Sequence, residues 1–226
     1  MNRPFAIFML ATACLCGPAL GFVHVKRDPP VVEHKTFDPA NPPPEMPHLN
    51  PGEAAVTSSE FHIQAKSEYE VVSRNPGADG VTAVVSVHGI TISTQLRVIV
   101  YVPVGAGEKL KAHEEGHLKL AEKIYDDYAI VAARAAAAQV DAHRFTGEGP
   151  DWQAAAQNAV AQPIRDMGQR YMDMTSKRSS DINDTYDLFT AHGANDKPVD
   201  VAMAEALAKY EKDHPTTRPA KRGNGH

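Results

Sequence analysis

The chain has 226 residues and a formal net charge of −5. That length suits one domain with extensions and a sizeable buried core. The mildly acidic balance gives nucleic acid no electrostatic reason to bind, so no nucleic-acid partner is expected.

Residues 1–21 read as a secretory signal peptide. A basic start at Arg3 precedes an apolar run from Phe5 to Cys16, and Ala19 and Gly21 stand at small-residue cleavage positions before Phe22. The run is short for a bilayer span; left uncleaved, it would be the chain's membrane contact. Export predicts a secreted or periplasmic protein. Both cysteines, Cys14 and Cys16, fall inside this segment, so the mature protein has no thiol nucleophile and no disulfide.

Residues 22–53 hold many of the seventeen prolines, as in "DPANPPPEMP". Dense proline removes backbone donors and blocks helix, which predicts an extended, disordered linker. The domain proper is expected over residues 54–213, followed by a flexible tail, 214–226. Within it, "EFHIQAKSEYEVV" alternates apolar residues, and "GVTAVVSVHGITISTQLRVIVYVP" is rich in β-branched ones. "NPGADG" marks a turn, and Gly89 suggests a second tight turn. The expectation is a small antiparallel sheet between Glu60 and Val102, with an exposed edge near Arg97–Tyr101.

Helices follow. Leu110, Leu120, Ile124, Tyr128 and Val131 recur at helical spacing in a segment that reads as helix to Phe145. Asp151 is the expected N-cap of a second helix with Pro163 as a kink, and "SSDIND" is expected to end it. A last helix is expected from Val199 to about Tyr210.

The first of these helices carries the chemistry. "HEEGH" puts His113 and His117 four residues apart, about 400° of helical turn, so both imidazoles lie on one face and can share a zinc ion. Glu114, about 100° away, stands beside such an ion, where it can take a proton from a zinc-bound water. The histidines also interrupt the apolar stripe of the helix, and two buried imidazoles need partners. Gly116 weakens the helix and suggests a close approach by another segment. A third ligand has to come from another element: Glu122 and Asp126 face elsewhere on the helix, and His143 is too far along it. His192, Asp187 and His88 remain candidates on the residues alone.

"HEEGH", followed by "YDLFTAHG" at Tyr186–Gly193, resembles the DUF922 family of bacterial secreted, zinc-dependent proteases. His113, Glu114, Gly116 and His117 match its first element; Asp187, Thr190, His192 and Gly193 match its second. The resemblance covers roughly residues 109–193. It implies an α+β, zincin-like fold: a small antiparallel sheet packed on an active-site helix with additional helices. It also implies His192 as the third zinc ligand. On this reading Glu114 is the general base, and Tyr186 is an oxyanion donor near the metal. Asp187 would orient a ligand imidazole. The expected activity is zinc-dependent hydrolysis of a protein or peptide, with cell-wall peptide as a possible substrate. The alternatives are a peptidoglycan amidase and a non-catalytic metal-binding or scaffold module of the cell envelope.

Overall fold

A computed structural model describes residues 22–50 and 52–215. The expected signal peptide and most of the expected tail lie outside these residues. The fold is α+β, with five strands in one open sheet and three helices.

Two strands dominate. β3 (Val56–Gly77) and β4 (Gly80–Pro103) form one antiparallel hairpin, closed where "NPGADG" predicts a turn. β4 does not turn at Gly89. Its inward side chains are Ala83, Val85 and Val87, then Ile90, Ile92, Thr94, Leu96, Val98 and Val100; Gly89 and Tyr101 are also buried. The parity flips because the register jumps from Glu68↔Gly89 to Tyr69↔Val87, leaving His88 as an extra residue. A β-bulge therefore breaks the alternation while one continuous strand keeps the same face inward. A second register jump, between Val71 and Ser73, falls on β3.

The sheet is mixed, not the small antiparallel sheet expected. Three short strands lie end to end along β4's other edge: β5 (Arg144–Gly149) antiparallel, then β1 (Phe22–Arg27) and β2 (Val31–Phe37), both parallel. This corrects the linker expected over 22–53. "FVHVKR" and "VVEHKTF" carry enough β-branched and aromatic residues to pair, and Pro29 and Pro30 fall between the strands, where no ladder bond is lost. Arg97–Tyr101 is consequently interior, paired to β2 on one side and β3 on the other. β3 pairs with β4 alone among the described residues.

The helices cover the buried face of this sheet. α1 (Glu108–Ala137) packs against β4 and α2, closing its C-terminal half with Ala129, Ala132, Ala133, Ala136 and Ala137. It stops short of Phe145, whose segment is β5; six residues with two glycines are too short to declare a strand by pattern. α2 (Trp152–Thr190) starts at Asp151, whose side chain accepts the Ala154 N–H at 2.9 Å, as expected of an N-cap. It runs through Pro163 and through "SSDIND" without ending. Polar residues there do not break it because their side chains bond back to its own carbonyls: Asn183 to Ser179 and Thr185 to Asp181. α3 (Val199–Asp213) packs on α2 near the expected limits.

Candidate metal centre

α1 and α2 cross so that the "HEEGH" turn faces the last turns of α2. Gly116 permits this approach. A Cβ there would sit 2.1 Å from the Tyr186 hydroxyl and 3.0 Å from Val199 Cγ1, so another segment does press on Gly116, as the sequence suggested. Tyr186 fills the contact. It is fully buried, donates its hydroxyl to the His113 carbonyl at 3.2 Å, and stacks on the His113 ring at 5.1 Å. Its ring meets His117 edge-on at 4.9 Å.

Three donor atoms converge above that tyrosine. His113 Nε2 and His117 Nε2 lie 3.2 Å apart, and Asp187 Oδ1 lies 3.1 Å from the first and 3.0 Å from the second. Bonds of roughly 2.0–2.1 Å in tetrahedral geometry place zinc ligands about 3.3–3.4 Å apart. The trio is within a few tenths of an ångström of that spacing.

Hydrogen bonding identifies which atoms hold lone pairs. Asn183 Nδ2 donates to the Ser179 carbonyl at 2.8 Å and reaches Ser179 Oγ at 3.2 Å, so its Oδ1 faces His117 Nδ1, 2.7 Å away. His117 Nδ1 therefore carries a hydrogen, and in neutral imidazole its Nε2 is a bare lone pair. That lone pair faces a carboxylate oxygen and another imidazole nitrogen, so a hydrogen on His113 Nε2 or a metal ion has to lie among them. The donor set, with its orienting amide behind, fits a divalent ion. His113 is held differently. Its Nδ1 is buried with no partner among the described residues, and packing locks the ring instead. Tyr186 stacks on it, and a Cβ on Gly193 would come within 2.9 Å of His113 Cγ.

The electrostatics agree. Burial alone would raise the Asp187 pKa, but with the imidazoles protonated and no metal bound, hydrogen bonds from His113 and His117 outweigh it and hold the carboxyl well below the usual carboxylate range. For His117, burial lowers the pKa, yet Asp187 and Asn183 together raise it above the ordinary histidine value. Glu114 is pushed up, chiefly by burial, with the nearby imidazoles and a bond from Thr57 acting against it. Thr57 Oγ1, on β3, donates to Glu114 Oε2 at 2.8 Å.

Two expected roles change. Tyr186 does not line the cleft: its hydroxyl bonds a helix carbonyl beneath the histidines, and burial, with the charges of Asp187 and Glu114, raises its pKa. His192 is not part of the tight trio; Asp187 takes the place expected of it. Ala191, His192 and Gly193 all have positive φ (49°, 51° and 77°), a costly turn that ends α2. It leaves His192 at the rim, 47% exposed, with Nδ1 3.7 Å from Asp187 Oδ1 and 3.9 Å from Glu53 Oε1. Glu53, Asp187 and His192 thus form a second, looser donor group that shares Asp187 with the first. His88 is in the β4 bulge and does not line the cleft.

The centre opens into a polar cleft of about 370 Å³. Ser176, Ser179, Ser180, Asn183 and Asp184 of α2 form one wall, and β3 residues Val56, Thr57, Ser59 and Phe61 another. The third wall is the proline-rich segment, through Pro47, His48, Asn50 and Glu53. Glu53 is fixed there by the Asn50 backbone N–H and side-chain amide, at 2.8 and 2.9 Å. Asn183 stands one helical turn before Asp187, a spacing visible in the sequence once α2 is known to be continuous. Nothing local announces Thr57 or Glu53, which reach the site only through the sheet.

Comparison with protein-family models, curated proteins and solved structures finds no match, so the likeness to DUF922 rests on the two short motifs.

Proposed function

We propose that this protein is an exported, zincin-like, zinc-dependent hydrolase of peptide bonds. The observation that carries the reading is the convergence of His113 Nε2, His117 Nε2 and Asp187 Oδ1 within 3.0–3.2 Å at the base of an open cleft, with Glu114 beside them. A zinc ion held by these atoms supplies Lewis acidity to a substrate carbonyl and acidifies water.

The chain's own residues supply the rest. Thr57 occupies Glu114 Oε2 and leaves Oε1 to take the proton of the attacking water and return it to the departing amine nitrogen. Burial raises the Glu114 pKa, which makes it a stronger base towards the water than an ordinary carboxylate. Asn183 keeps the His117 lone pair turned into the site. β3 borders the cleft with an edge that no described strand pairs, so an extended peptide can bond to its backbone. That edge favours a peptide over a glycan as substrate.

Substitution of Glu114 by Gln tests the reading. A hydrolase keeps its zinc and loses turnover of casein by about 10²–10⁴-fold, the usual range for a general base. If casein and peptidoglycan are both untouched by the wild-type, zinc-loaded protein, the site is a binding module and not a hydrolase.

A further inference from the structure

A second cavity adjoins the cleft and has the opposite character. It encloses about 570 Å³ and is walled by Phe37, Pro103, Met46, Leu49 and the Pro42–Pro44 run. Phe37, at the end of β2, is 3% exposed and forms part of its base. The cavity shares Pro47, His48, Glu53 and Ala54 with the metal cleft, so the two are adjacent rooms along one wall. From the structure we infer that this cavity is the specificity pocket of the site, taking an apolar side chain (leucine, methionine or phenylalanine) of a peptide bound in the cleft.

The inference rests on the hydrolase reading for its substrate but on separate observations for its chemistry. First, the cavity continues the path of a peptide paired to β3. Val56 begins that strand, and the chain just before it, Glu53 and Ala54, is the wall common to both cavities. A peptide running along the β3 edge past Thr57 is led towards the pocket at a fixed distance from the bond at Asp187. Second, away from the wall shared with the cleft the lining offers sugar hydroxyls little to bond to: three consecutive prolines have no N–H, and Phe37, Met46, Leu49 and Pro103 are apolar. Third, proline restricts the segment's φ angles, so little conformational freedom remains to be lost on binding. The same composition that reads as a disordered linker in the sequence becomes, when anchored between β2 and β3, a preformed apolar wall. Pockets of this kind, largely apolar with a few convergent polar groups alongside, are the usual form of a small-ligand site.

The test uses binding, so it does not depend on turnover. Fluorescein-labelled glycine hexapeptides, each with one Leu, Phe, Met, Ser or Asp placed in turn at every position, are titrated against zinc-loaded Glu114→Gln protein by anisotropy. At one position the three apolar residues should bind about tenfold or more tightly than Ser, the low end of what burial of such a side chain supplies. Leu49→Glu and Met46→Glu, at partly exposed positions, should each erase that preference with circular dichroism and zinc content unchanged. Equal affinity at every position, no binding of any peptide, or a preference that survives in a folded variant overturns the pocket. The same peptides given to wild-type enzyme separate the two claims. Cleavage without an apolar preference leaves the hydrolase and removes the pocket; preferential binding without cleavage leaves the pocket and removes the hydrolase.

Discussion

The floor of the cleft and its rim are built on different plans. On the floor, three side chains are held by a second group: His117 by Asn183, His113 by Tyr186 and Gly193, Glu114 by Thr57. His113 and Glu114 are buried and belong to one long helix packed on a sheet. On the rim, His48 and His192 are exposed, and Glu53 is bonded to its neighbour Asn50 and lies 3.9 Å from His192. The difference teaches how the labour is divided. Three donors at a metal's spacing stand where packing fixes rotamers, whereas the groups at the cleft mouth sit on loops.

The contrast can be broken from the floor first. His113→Ala or His117→Ala should each abolish stable zinc binding, read by equilibrium dialysis, because two donors remain where a stable site needs three. Gly116→Ala comes next. Its methyl would collide with the Tyr186 ring, which has nowhere to go, so chemical denaturation should show a loss of roughly 3 kcal/mol, the upper part of the range for overpacking. Asn183→Ala removes the amide that orients His117 and should weaken zinc affinity by about 10–100-fold without unfolding the chain. Protons compete at the same atom. Since the His117 pKa is raised in the metal-free protein, zinc affinity should fall as pH drops through and below that raised value, and should level off above it; competition with a chromophoric chelator across pH follows this. The smallest effect belongs to the rim: His192→Ala should change zinc affinity by less than about threefold, a shift of well under 1 kcal/mol.

The floor was largely legible in the sequence, and the rim was not. "HEEGH" announced His113, Glu114 and His117 because helical geometry alone puts two imidazoles on one face, and Gly116 suggested a close approach because glycine costs helix stability. Asp187 was visible only as one candidate among three. Choosing it over His192 depends on the left-handed turn at 191–193, which no local pattern specifies. Gly89 misled for a physical reason: a bulge and a turn both break alternation, and only the partner strand distinguishes them. The proline-rich segment misled more deeply. Composition argues that it cannot build a core of its own, and it does not; it borrows one, by laying β1 and β2 along an edge that β4 already provides. Long-range pairing of that kind is also what delivers Thr57, Glu53 and the apolar pocket.

The proposed hydrolysis depends on a cation shared by His113, His117 and Asp187. The most direct measurement is the zinc content of purified protein and of its Asp187→Ala variant after loading and exhaustive dialysis. The account predicts about one zinc per chain in the wild type and little in the variant. A wild type that retains no divalent metal, or a variant that retains as much as the wild type, would contradict it.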